Sequence, residues 1–223
     1  MTTIQRQLAE FALGVGAFRL VPDAPVRWAS GYLMPVYTDN RLLLRYPEGR
    51  SIIREGLLET WETAGVGTCH GIAGTASAGI APALLLAEDR GLDFYYVRGA
   101  AKDHGLERRI EGLGPGESLR GRRILLVEDL LSTGGSAAAA AEALGDAGAE
   151  VPRCLAIFSY GFAAVAERFA SVSGATGPSE IRAVLTLDEL LVVGRELGTI
   201  DAGGERLLEE WRRDPFSPER RVP

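Results

Sequence analysis

The run Ile124-Leu-Leu-Val-Glu128-Asp129-Leu130-Leu131-Ser132-Thr133-Gly134-Gly135-Ser136 decides how the rest of the chain is read. Its first four residues are continuously apolar, the pattern of a strand buried on both faces of a parallel sheet. Two adjacent carboxylates follow, then a small-residue loop opens an Ala-rich helix predicted over residues 136–144. Gly134 and Gly135 let the backbone wrap closely around a ligand, and Ser132, Thr133 and Ser136 offer hydroxyl donors. The helix N-terminus adds unsatisfied N–H groups and a partial positive charge, so the loop forms a nest for a phosphate monoester. Glu128 and Asp129 would repel phosphate if aimed at it. They suit sugar hydroxyls, or waters on a divalent cation, one ribose length away. A bare strand, turn and helix cap accounts for Ser136 but not for paired carboxylates with five small residues behind them. The run is no P-loop, because GxxxxGK[ST] is absent, and no GxGxxG follows any strand.

Outward from this run, apolar periodicity alternates between strand and helix. Helices are expected at 3–13, from Pro47 to about Glu62, at 79–90, 162–170 and 188–196, and strands at 68–73, 94–97, 124–127, 154–158 and 181–187. Residues 14–46, rich in proline and glycine, predict short strands and turns. This alternation implies an α/β fold, a parallel sheet of about five strands flanked by helices on both faces. In such sheets ligands sit beyond the carboxyl ends of the strands, which directs attention to the loops after Ala73, Val97, Val127 and Phe158.

The connection 99–121 is polar, Gly-rich and long, which by itself marks a functional loop. Of the 24 lysine and arginine residues, only Lys102 is lysine, and one of the two histidines, His104, lies two positions away. With Arg98 they bring basic groups together in an acidic protein of net charge −6. Closing over an anionic ligand, they would neutralise its charge. The plainer alternative is a solvated surface loop. His70 has no such company and reads as structural, at a strand start.

The length of 223 residues suits one domain with a sizeable core, and 46% hydrophobic content excludes a disordered chain. The net charge argues against a nucleic-acid-coating protein. Cys69 and Cys154 stand far apart, with no CxxC metal spacing, and read as buried thiols of a reducing compartment. No signal-peptide core or bilayer-length apolar run stands out, so a cytoplasmic protein without membrane partners is expected.

Residues 127–136, VEDLLSTGGS, resemble the phosphoribosyl-pyrophosphate (PRPP) motif of the type I phosphoribosyltransferases, in its orotate phosphoribosyltransferase version. Trp28-Ala-Ser-Gly31, Pro35-Val-Tyr-Thr-Asp-Asn-Arg41 and Tyr46-Pro47 are similar to the N-terminal region of one bacterial branch of that family. Ala73-Gly-Thr-Ala-Ser-Ala-Gly79 resembles its pyrophosphate-side loop. Tyr96-Val-Arg98, Lys102-Asp-His104-Gly105 and Ile110-Glu-Gly112 resemble its mobile catalytic loop, and Ala156-Ile-Phe-Ser-Tyr-Gly161 the strand and loop that follow. The likeness runs from about residue 15 to 195. The chain departs from the pattern at Leu33 and Ala100, where the branch usually carries lysine, and Leu106-Glu-Arg-Arg109 replaces a Gly-rich tip. Arg108 or Arg109 is a candidate for the missing charge.

The resemblance implies a type I phosphoribosyltransferase fold in a single domain, with a core over about 48–196. A small hood would come from about 1–46 and part of 197–223. It implies transfer of the phosphoribosyl group from PRPP to orotate in pyrimidine biosynthesis, with Mg²⁺ bridging pyrophosphate and ribose hydroxyls, in a homodimer. Arg98, Lys102, His104 and the run Glu128, Asp129, Leu130, Leu131, Ser132, Thr133, Gly134, Gly135, Ser136 would bind PRPP. Lys102, His104 and Asp129 would be catalytic, and Thr133 would also lie near the base. No residue is assigned as a direct metal ligand. Two alternatives stand beside this: a phosphoribosyltransferase for another, purine base, and a non-catalytic PRPP-binding regulator.

Overall fold

A computed structural model describes residues 1–28, 31–99, 109–170, 172 and 180–221. In chain order the first elements are α1 (Thr3–Gly14), β1 (Phe18–Leu20), β2 (Val26–Arg27), β3 (Leu33–Met34), β4 (Val36–Thr38), α2 (Asn40–Leu44) and α3 (Pro47–Thr63). Then come β5 (Gly71–Thr75), α4 (Ile80–Arg90), β6 (Asp93–Val97), β7 (Ile110–Glu111), β8 (Ile124–Leu131) and α5 (Gly135–Asp146). The last are β9 (Arg153–Ser159), α6 (Ala163–Ala170), β10 (Glu180–Thr186), α7 (Leu187–Glu196), α8 (Ala202–Arg213) and a 3₁₀ turn at Pro218–Arg220. They fall into two compact units, Met1–Gly49 with Leu187–Pro223, and Arg50–Thr186.

The larger unit is built on a six-stranded sheet of order β10-β9-β8-β5-β6-β7. Its first five strands are parallel and the short β7 pairs antiparallel with β6. The alternating pattern therefore yields the expected α/β architecture, with α4 packed on β5 and α5 on β8. Ile124 to Val127 and Leu155 to Phe158 are fully buried, which explains why both runs are apolar without alternation. Each such side chain contributes about 1.5–3 kcal/mol on leaving water. Both cysteines are buried, and desolvation pushes both thiols up, Cys154 the further.

Two strands differ from the expected spans. β5 begins at Gly71, because residues 71–75 pair with β6 and residues 71–74 also with β8. His70 precedes it as a clamp: its Nδ1 accepts from the Arg123 N–H at 2.9 Å and its N–H donates to the Arg123 carbonyl at 2.8 Å. This is the structural role its isolation implied. β8 continues four residues past Val127, since Glu128, Leu130 and Leu131 keep pairing with Ala156, Phe158 and Ser159 of β9. The carboxylates thus belong to the last turns of a strand rather than to a loop.

In the smaller unit, the Thr2 hydroxyl accepts from the Gln5 N–H and the Gln5 side chain accepts from the Thr2 N–H. This reciprocal cap starts α1, which packs against α7. β1 pairs with β4 and β2 with β3, all antiparallel. α8 is capped by Asp201 and carries Arg212 and Arg213 in its last turn, where they complement the helix dipole. The tail returns to the β2–β3 hairpin, where Arg221 bridges Tyr32 and its guanidinium lies 5.9 Å from the ring centre. No described helix is long and apolar enough to cross a membrane.

Candidate active site

The carboxyl ends of β6, β5, β8 and β9 place one row of residues across the sheet. Val97 stands opposite Thr75, Gly74 opposite Val127, and Glu128 opposite Ala156, so Thr75 and Glu128 are neighbours on adjacent strands. Directly beyond this row lies the small-residue loop. Gly134 caps α5 with φ +76°, and no side chain caps that helix. Only glycine holds this left-handed geometry without strain, and α6 closes on it, with Val165 Cα 3.3 Å from where a Cβ would sit. Ser136, expected as a possible cap, is instead exposed in the first turn of α5 beside exposed Gly135, and Thr133 is exposed in the loop, while Ser132 is half-buried and Gly134 is buried against α6. Leu131 is different: it is 1% exposed, packs in the core, and its carbonyl accepts from the Tyr160 N–H at 3.1 Å.

The acidic pair is unequal. Glu128 is 5% exposed, whereas Asp129 is half-buried. Glu128 Oε1 accepts from the Thr75 hydroxyl and from the Asp129 backbone N–H, the latter at 3.0 Å. Burial, opposed by the Thr75 hydrogen bond and reinforced by Asp129, pushes the Glu128 carboxyl up to about 8. Desolvation disfavours the charged form, and two adjacent carboxyls resist double ionisation. At neutral pH Glu128 therefore largely keeps its proton.

The segment likened to a pyrophosphate-side loop links β5 to α4. The Ala76 N–H donates to the Val97 carbonyl at 2.8 Å and the Gly79 N–H to the Thr75 carbonyl at 2.9 Å, holding the turn against both strands. The Ala76–Ser77 peptide is cis. A Cβ on Gly79 would stand 2.8 Å from the carbonyl oxygens of Thr75 and Val127, and against the Thr75 hydroxyl. Gly79→Ala is therefore expected to lower stability by about 1–3 kcal/mol, measured by denaturant unfolding. An unchanged unfolding midpoint would mean that the turn yields.

Arg98 follows β6, two strands from β8, which places its backbone about 10 Å from the acidic pair. Its guanidinium faces Glu111 at 3.4 Å, and its backbone N–H donates to the Arg109 carbonyl at 2.8 Å. Arg109 in turn donates to the carbonyls of Arg98 and Ala139, at 3.3 and 3.2 Å. With β6–β7 pairing, these bonds bring together the two ends of the segment that carries Lys102 and His104. Lys102, His104, Ala100 and Arg108 themselves lie outside the described residues. Leu33, in the smaller unit, pairs with Arg27 and lines a cavity of about 380 Å³ with Trp211 and Arg220.

The sheet thus assembles Thr75, Glu128, Asp129 and residues 132–136, with Arg98 set apart by one intervening strand. Sequence patterns left Thr75 unassigned, and Arg109, named as a candidate for the missing loop charge, directs its guanidinium to backbone carbonyls. A lone polar residue at the end of the otherwise apolar β5 was the available signal for Thr75. Among the described residues no group of three His, Cys, Asp or Glu side chains could hold a metal ion.

No protein-family model matches the chain. It is 38% identical to an orotate phosphoribosyltransferase of Cytophaga hutchinsonii, over 94% of this chain and 96% of that protein. Among solved structures, orotate phosphoribosyltransferase from Aeropyrum pernix superposes with a TM-score of 0.69 at 27% identity, over 87% of this chain and 99% of that one. The Mycobacterium tuberculosis enzyme, crystallised with PRPP, shares the fold with a TM-score of 0.59 at 24% identity, over 84% and 98% of the two chains. With that identity across nearly its whole length, and with a nest and acidic pair at the carboxyl edge of its sheet, the chain belongs to the orotate phosphoribosyltransferase family.

Proposed function

We propose that the protein transfers the 5-phosphoribosyl group of PRPP to orotate, giving orotidine 5′-monophosphate and pyrophosphate. The bond from the anomeric carbon to a pyrophosphate oxygen breaks, and pyrophosphate leaves with the electron pair. A bond to a base nitrogen forms, and that nitrogen gives up its proton. The observation that carries the reading is the small-residue loop and helix start at residues 132–136, with Thr133, Gly135 and Ser136 exposed, beyond Glu128 and Asp129 on β8, in a chain of this family.

Residues 132–136 would cradle the 5′-phosphate through backbone N–H groups and hydroxyls, with Thr133 also near the base. Glu128 and Asp129 would hold the ribose hydroxyls as positive charge develops at the anomeric carbon. Arg98, Lys102 and His104 would neutralise the departing pyrophosphate. The resemblance implies a magnesium ion bound together with PRPP. Bound there, Mg²⁺ would stabilise the charge on the leaving group. The resemblance carries two further parts of the reading, a homodimer and a cytoplasmic setting.

The direct test is orotate absorbance on mixing protein with PRPP and Mg²⁺. Loss that requires both reagents is the expected result. No loss, from folded protein that binds PRPP, would move the reading to another base or to a binding role.

A further inference from the structure

Thr75 belongs to none of the groups that touch PRPP in this reading, yet it is 3% exposed and its hydroxyl is spent on Glu128. Oε1 of Glu128 accepts from two donors, the Thr75 hydroxyl and the Asp129 N–H. A carboxylate oxygen has two lone-pair sites, so both on Oε1 are occupied. Any proton on the group then resides on Oε2. Rigid elements aim the donor. Thr75 sits in β5 opposite Val97, its carbonyl accepts from the Gly79 N–H, and its branched side chain has few rotamers.

We propose that Thr75 is a positioning residue for the acidic pair: it holds Oε1 of Glu128 and leaves Oε2 as the oxygen that exchanges the proton and meets the ribose. The inference rests on the phosphoribosyl-transfer reading above. The groups acting on Glu128 are Asp129 from its own strand and Cys154 from β9, while β5 presents only the neutral hydroxyl of Thr75. In the free protein Glu128 holds its proton up to about 8. Positive charge developing on the ribose favours the doubly ionised pair, so Glu128 must release that proton for the productive form. A donor on Oε1 stabilises the ionised carboxylate and lowers the pH at which the pair becomes productive.

The experiment compares Thr75→Val, which keeps the shape and removes the hydroxyl, with Thr75→Ser, which keeps the hydroxyl. Two readouts are taken: the pH profile of kcat/KM with orotate and PRPP, and unfolding stability against pH without ligand. In Thr75→Val the acid limb is expected to move up by about one pH unit, the effect of one hydrogen bond to a charged group. The pH at which stability levels off should move the same way, and Thr75→Ser should leave both near wild type. A valine profile that superimposes on wild type overturns the proposal, as does a serine variant displaced as far as valine. Should wild type fail to turn over orotate, the phosphoribosyl-transfer reading falls separately. The stability curves then decide whether Thr75 controls Glu128: displacement in valine alone supports it, and superposition overturns it.

Discussion

Replacing Lys102 by alanine will lower kcat by about 10²- to 10³-fold while leaving thermal unfolding unchanged, the scale of losing one positioned charge at a leaving group. Lys102 is the only lysine of the chain, in the segment whose two ends are pinned by β6–β7 pairing and by the Arg98–Arg109 backbone bonds. In the proposed reaction this lysine would meet the charge of the departing pyrophosphate. Arginine does not duplicate a compact ammonium on a flexible stem, so Lys102→Arg should recover only part of the lost rate. Steady-state kinetics beside a melting curve reads both quantities. Wild-type turnover in the alanine variant would remove Lys102 from the reaction.

The second large effect is on stability. Glu128 is held up to about 8 in the folded chain against an ordinary 4.5. Between those values the folded protein binds a proton that the unfolded chain has released. Its stability is therefore fully present below about 4.5 and falls as pH rises through about 8. At 1.36 kcal/mol per pH unit, the loss attributable to this carboxyl is on the order of 5 kcal/mol. Glu128→Gln keeps the volume and an oxygen for the Thr75 hydroxyl but cannot ionise. The variant should lose less stability than wild type across the window and exceed it at alkaline pH. Denaturant unfolding of both proteins at several pH values supplies the comparison. Parallel curves would mean that Glu128 ionises in the folded protein as readily as in water.

These two expectations come from different levels of description. Lys102 was legible in the linear sequence, because a single lysine beside one of two histidines in a long polar connection is a statement about composition and spacing. The Glu128 effect was not. Sequence placed Glu128 and Asp129 together as equals, and only the continuation of β8 along β9 buried one and left the other half-exposed.

By itself the sequence determined the alternation of strands and helices, the parallel core and the small-residue loop that opens α5, since all three rest on local periodicity and on residues adjacent in the chain. The order of elements, the buried thiols and the structural place of His70 follow from the same local signals. The tertiary structure decided what depends on partners distant in the chain. Thr75 meets Glu128 across 53 positions because β5 and β8 lie side by side. Ile110–Glu111 becomes a strand only because β6 offers it an edge, and the tail finds Tyr32 through pairing with Arg221. Hydrogen bonds and desolvation act through space, so a pattern along the chain could announce the site's inventory but not which carboxylate would be buried, or by what it would be held.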